Sequence, residues 1–310
     1  MTNVERTAVL GAGVIGASWA ALFLASGRSV AVFDPDPQAE GLVRTYIENA
    51  WPALEELGLA DRATPDAIRF FQSAGEAVRD TQFVQENVPE RLPIKHATYD
   101  EIETALAADA IVSSSTSGLT LEALQKGWRN PDKLILGHPF NPPHLIPLVE
   151  LTANAATGPD VLDRTEAFYK DIGKVTIRIN KGLPGHVANR LQAAVWREAV
   201  HMAVEGVASV EDIDKAMWAG PGLRWAAMGP TTLFHLGAGD GGLQAFCDHF
   251  KDTFNGWWDD LGDPRLNDEV IKLLVDGMAA QAQGQSPQEL STQRDKMLTA
   301  MQTAMRHLRS

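Results

Sequence analysis

The sequence predicts an α/β chain in which a doubly wound parallel sheet is followed by an all-helical C-terminal domain. Three observations carry this. Up to about residue 180, short runs rich in β-branched residues alternate with helical stretches, the pattern of strands buried on both faces and joined by crossover helices. After Lys181-Gly182-Leu183-Pro184-Gly185 the strand-like runs stop, and Val187, Leu191, Ala194, Val195 and Met202 recur at helical spacing. The chain has 310 residues, 45% of them hydrophobic, enough for two domains and a sizeable core. The expected division is residues 1–184 for the first domain and 185–310 for the second.

Strands are expected at Thr7–Leu10, Ser29–Phe33, Gln82–Val88, Ala110–Ser114, Lys133–Gly137 and Val175–Ile179, with helices over 14–26, 37–57, 93–107, 120–126 and 159–172. Gly27 and Gly173 stand where helix C-caps belong, and Pro159-Asp160 suits a helix start. Ile146–Leu151 reads as a strand with no helix before it, expected antiparallel at the sheet edge. In the second domain Ser209 caps a helix that begins with acids, and 264–283 and 287–308 read as amphipathic helices.

Composition removes several function classes. With 27 basic and 40 acidic residues the net charge is −13, which disfavours nucleic acid as a partner. Residues 8–25 carry no charge and could pass for a signal peptide, but their glycines and the strand that follows mark a folded element. No other run approaches a membrane span, so no membrane partner is expected. Cys247 is the one cysteine, which suits a reducing, cytoplasmic setting. His144, His201, His235 and His249 lack metal-site spacing, so no metal is expected. His235, between apolar neighbours, reads as a core histidine, Gly237–Gly242 as a flexible loop, and Trp257-Trp258 as core or interface packing.

Gly11-Ala12-Gly13-Val14-Ile15-Gly16 is a G-x-G-x-x-G turn between a strand and a helix. Gly11 permits the tight turn, Gly13 admits a pyrophosphate, and Gly16 lets the helix pack on the sheet. The N–H groups opening that helix, near Val14 and Ile15, offer their positive dipole end to phosphate. Asp34 ends the second strand, 23 residues after Gly11. A carboxylate there binds ribose hydroxyls and repels a 2′-phosphate, so the pattern predicts a Rossmann sheet that takes NAD.

His138, in Gly137-His138-Pro139-Phe140-Asn141-Pro142-Pro143, follows a strand and so faces the crevice at the strands' carboxyl ends. Glu150 lies twelve residues on, in an apolar strand where a carboxylate needs a partner. Paired, the carboxylate would orient the ring, and the imidazole could take the proton of an alcohol as hydride leaves for nicotinamide. The residues alone also allow a loop histidine and a half-exposed glutamate.

Six motifs occur in order: the glycine turn, Val84-Gln85-Glu86-Asn87-Val88-Pro89-Glu90, Ser113-Ser114-Ser115-Thr116-Ser117, the His138 run, Pro147-Leu148-Val149-Glu150, and Gly185-His186-Val187-Ala188-Asn189-Arg190. Over nearly its whole length the chain resembles the 3-hydroxyacyl-CoA dehydrogenase superfamily, in the branch of L-gulonate 3-dehydrogenase (lambda-crystallin) and L-carnitine 3-dehydrogenase. The resemblance implies oxidation of a 3-hydroxy to a 3-keto group by NAD, with His138 and Glu150 as the catalytic pair. It implies that Ser117 and Asn189 hold the substrate oxygen, and that Glu86, Lys95, Ser115 and Asn141 line the NAD and substrate crevice. It also implies a homodimer built through the C-terminal helices.

Coenzyme A carries several phosphates and calls for Lys and Arg. The stretch Pro35–Ala60 holds Arg44 as its one cation, against Asp36, Glu40, Glu48, Glu55 and Glu56. A small free 3-hydroxy acid is therefore expected, ahead of an acyl-CoA. Arg224 could grip a substrate carboxylate, and Trp225 could line the pocket or face a quaternary ammonium. The run Gly222-Leu223-Arg224-Trp225 looks like the carnitine enzymes. Asn189-Arg190-Leu191-Gln192 and Asn141-Pro142-Pro143 look more like the L-gulonate enzymes, the carnitine ones having an aspartate at the Asn189 position. L-gulonate is thus the first expectation and L-carnitine the alternative. A catalytically silent NAD-binding structural protein is the reading from another class, disfavoured by His138, Glu150, Ser117 and Asn189 occurring together.

Overall fold

The computed structural model describes residues 4–309. Its strands are β1 (Arg6–Leu10), β2 (Ser29–Phe33), β3 (Ile68–Phe70), β4 (Phe83–Glu86), β5 (Ile111–Ser114), β6 (Leu134–Pro139), β7 (Leu148–Thr152) and β8 (Val175–Arg178). They form one sheet in the order β3-β2-β1-β4-β5-β6-β7-β8. All neighbours pair in parallel except β6 and β7, which are antiparallel. Strand order reverses between β1 and β4, and this switch opens a crevice at the strands' carboxyl ends. β7 does run antiparallel, but β8 covers it, so it is not the edge strand expected of Ile146–Leu151.

Helices α1 (Val14–Ala25), α2 (Ala39–Leu57), α3 (Ala74–Val78), α4 (Leu92–Glu103), α5 (Leu121–Gln125) and α6 (Val161–Asp171) accompany these strands. The core lies in two clusters. One gathers Trp19, Phe23, Phe83, Phe168 and Tyr169, and the other Tyr99, Leu121, Leu124 and Trp128. Nine of the twelve residues of α1 are buried. Its uninterrupted apolar character reflects packing on several sides.

The remaining helices are α7 (Ala188–Val204), α8 (Val210–Ala219), α9 (Pro221–Ala227), α10 (Pro230–Gly237), α11 (Gly242–Asp260), α12 (Asp268–Ala282) and α13 (Pro287–Arg309). Ser209 caps α8 by accepting the Asp212 N–H. His235 is exposed rather than core, and its Nδ1 accepts the Leu243 N–H at the start of α11. Gly239–Gly241 forms a short 3-10 turn instead of an open loop. No helix among the described residues is long and apolar enough to cross a membrane.

The chain divides into two compact units: one runs to Val187 and resumes at Arg294, and the other is Ala188–Gln293. This differs from an unbroken second domain over 185–310. Within the first unit, Gln302 donates to the Leu145 carbonyl, Arg306 donates to the Leu57 carbonyl, and Thr299 is buried. These bonds satisfy buried backbone acceptors, so the last turns of α13 complete the first unit's core.

His144 sits inside this unit. Its backbone N–H donates to Ser18 Oγ (2.9 Å), its Nδ1 lies 2.8 Å from that oxygen, and its ring packs edge-on against Tyr46. Burial lowers its pKa from 6.5 to about 4, with Asp295 opposing. The unfolded chain therefore binds a proton here first as pH falls, and stability is lost between these two values. Urea unfolding is expected to show up to about 3 kcal/mol lost across that window. His144→Gln should flatten the slope, measured against wild type at each pH.

Candidate active site

The fingerprint turn is built by steric exclusion. Gly11 has φ +80°, and a Cβ there would lie 2.7 Å from the Asn87 and Val88 backbone. A Cβ on Gly16 would stand 1.9 Å from the Gly11 carbonyl oxygen. A Cβ on Gly13 would meet nothing within 4 Å, and Gly13 and Val14 are exposed. Open space thus lies over the N-terminus of α1, where a phosphate group is stabilised. Asp34 Oδ2 accepts the Ala12 N–H (2.7 Å) and Oδ1 the Asp36 N–H (2.9 Å). These bonds tie the turn to the end of β2 and leave lone pairs for ribose hydroxyls. The glycines and the acid therefore fit an adenine dinucleotide.

The second half of the site comes from sheet register. Antiparallel pairing sets His138 of β6 opposite Glu150 of β7. His138 Nδ1 lies 2.8 Å from Glu150 Oε2, with Glu150 fully buried and His138 nearly so. A carboxylate only accepts, so the shared hydrogen sits on Nδ1 and Nε2 is left to take or give a proton. Glu150 Oε1 accepts the Val187 N–H at 2.9 Å, which ties this carboxylate to the turn before α7. Gly137 has to be glycine, because a Cβ would lie 2.2 Å from Ser113 Oγ and 2.7 Å from the Tyr169 hydroxyl.

A polar network fixes the loop after β5. The Tyr169 hydroxyl donates to Gln85 Oε1 (2.6 Å), Gln85 Nε2 to Ser115 Oγ (2.8 Å), and Ser115 Oγ to Asn87 Oδ1 (2.7 Å). Glu90 then gathers the loop from outside. Its Oε1 accepts from Thr116 Oγ1 and from the N–H groups of Ser117 (3.0 Å) and Gly118 (2.8 Å). Burial pushes the Glu90 pKa up, but these bonds and the Lys95 charge outweigh it and the net shift is down. Glu90 closes the Val-Pro-Glu run, and its one signal in the sequence is the Ser/Thr-rich loop that follows the next strand. Ser117 is exposed at the tip, and Asn141 is exposed at the end of β6.

Glu86 and Lys95 depart from expectation. Their side chains are sealed and bonded to each other at 2.7 Å. Glu86 also accepts from the Val88 N–H, the Tyr99 hydroxyl and Ser114 Oγ. They brace the crevice wall from beneath rather than line it. Asn189 near the start of α7 is half-buried, as is Trp225 on α9, and Arg224 beside it is exposed. All three lie in the second unit.

Comparison with known proteins decides the family. Residues 6–182 match the 3-hydroxyacyl-CoA dehydrogenase NAD binding domain, and residues 185–280 match the C-terminal domain of the same family. The chain belongs to the 3-hydroxyacyl-CoA dehydrogenase family. It is accordingly an NAD-dependent oxidoreductase acting on a CH–OH group. Among relatives of this family, L-carnitine dehydrogenase of Nocardiopsis dassonvillei is 44% identical over 97% of this chain and 92% of its own. The Bacillus cereus L-carnitine dehydrogenase is 41% identical over 96% and 91%. A crystal structure of 5-formyl-3-hydroxy-2-methylpyridine 4-carboxylic acid 5-dehydrogenase superposes with TM-score 0.83 at 28% identity, covering 98% of this chain and 99% of that one.

In this dehydrogenase, replacing His138 by Ala or Glu150 by Gln is expected to lower kcat by about 10²–10⁴. The NAD dissociation constant, followed by fluorescence titration, should stay within about threefold, because neither side chain belongs to the glycine turn.

Proposed function

We propose that the substrate is a small free 3-hydroxy acid and that L-carnitine is the first candidate, ahead of L-gulonate. The likeness to L-carnitine dehydrogenases at 39–44% identity over nearly the whole chain carries this choice and reverses the order expected from the sequence. In this reading bound NAD would supply the hydride acceptor. The chain's own residues bind the alcohol, hold it and move its proton. His138 takes the hydroxyl proton on Nε2, and Glu150 orients the ring and balances the charge that forms. Ser117 and Asn189 hold the reacting oxygen.

The charge distribution supports a free acid over a coenzyme A ester. Arg44, the one cation of Pro35–Ala60, is paired with Glu40 at 2.8 Å and lies over the Phe70 ring. It is poorly placed to serve a ligand with several phosphates. L-carnitine has a carboxylate and a trimethylammonium, and the roles we assign are Arg224 on the former and Trp225 facing the latter. We further infer a homodimer through the C-terminal helices. Exposed Trp196, Trp218, Trp257 and Trp258 on α7, α8 and α11 support it, since such surface favours burial against a partner. The single exposed Cys247 suits a cytoplasmic setting.

The test is NADH formation with L-carnitine, L-gulonate and 3-hydroxybutyrate, beside NADH consumption with acetoacetyl-CoA. L-carnitine is expected to give a kcat/KM at least about tenfold above the others. Turnover of acetoacetyl-CoA at the higher efficiency would overturn the free-acid reading.

A further inference from the structure

Beside the His138–Glu150 pair stands a second imidazole that this reading has not used. His186 is in the left-handed backbone region, at φ 51°, which non-glycine residues adopt rarely. It is 7% exposed, and neither ring nitrogen has a hydrogen-bond partner among the described residues. The Thr116 carbonyl faces the ring and favours its charged form, and neither nitrogen meets it with hydrogen-bond geometry. The His186 ring centroid lies 4.9 Å from that of His138. The turn is held in place, because Val187 donates its N–H to the carboxylate that orients His138.

Burial and the His138 ring lower the His186 pKa, against opposing pulls from Glu150, the Thr116 carbonyl and Glu90. Near neutral pH this ring is therefore an uncharged N–H donor. A buried donor without an acceptor is costly, and a ligand that supplies one recovers that cost as affinity. The two rings together offer two points of attachment. In a 3-hydroxy acid the hydroxyl oxygen and the nearer carboxylate oxygen are joined through C3, C2 and C1. With bonds of about 1.5 Å they lie about 3–5 Å apart, and with the ring centroids 4.9 Å apart one such acid can reach both rings.

We propose that His186 is a substrate-binding residue that donates a hydrogen bond to the C1 carboxylate of the acid whose hydroxyl rests on His138. This builds on the free-acid reading and names the group that enforces it. A carboxylate oxygen accepts more strongly than a thioester carbonyl, so the same donor discriminates against acyl-CoA.

The test is steady-state kinetics with NAD and L-carnitine for wild type, His186→Phe and His186→Gln, with NAD affinity as the check on folding. His186→Phe keeps the ring and loses the donor. Its KM should rise about tenfold or more, while kcat stays within about threefold. His186→Gln restores an amide donor and should recover most of the loss. If His186→Phe no longer binds NAD, His186→Asn replaces it: asparagine tolerates this backbone but is shorter, so the same rise in KM is expected. An unchanged KM, or a fall in kcat at constant KM, overturns the role of His186 and leaves the substrate reading standing. Wild type that reduces no NAD with any free acid overturns the substrate reading itself.

Discussion

The site depends on one register. β7 runs against β6, and that reversal puts Glu150 straight across from His138. A shift of one residue would turn the two side chains to opposite faces. Because the carboxylate is fully buried, it has to be hydrogen-bonded, and it has found a ring nitrogen on one oxygen and a backbone N–H on the other. The same desolvated anion therefore sets the tautomer of His138 and the position of the turn that carries His186.

The rest of the first unit serves to make that register available beside a dinucleotide. The glycine turn, Asn87-Val88 and Asp34 interlock at the carboxyl ends of β1, β2 and β4, and each close approach excludes a side chain. On the far side Glu86 and Lys95 neutralise each other in the wall. Such a pair adds little net stability but is costly to break. Glu90, four residues beyond Glu86, faces outward and holds the Ser117 loop. Two acids in one short run thus have opposite tasks, divided by burial.

Much of this could be read from the chain. The glycine spacing, Asp34 at a strand end, and the apolar strand around Glu150 each state a local need with a single structural answer. Strand and helix positions in the first unit followed from periodicity, apart from short β3 and α3, which have too few residues to show a period. What could not be read was long-range. Nothing local in Glu86 says that it is sealed, since its partners Tyr99 and Ser114 are distant in sequence. Nothing local told Glu90 from Glu86, or showed that His186 would lie against the His138 ring. The neighbours of His235 are apolar, yet the helix turns it outward.

The return of the chain to the first unit at Arg294 has a consequence for synthesis. Residues 188–293 are an insertion, leaving and rejoining a host whose two parts are far apart in sequence. The host buries Thr299 and caps the Leu145 and Leu57 carbonyls with residues made after the helical unit. During translation these contacts cannot form until the insert has emerged, and their formation closes a long loop. Every strand is made before the insert, so what the returning residues bring is the last cover over the end of α2 and the segment before β7, and a truncation ahead of Arg294 would leave a whole sheet with those carbonyls uncapped.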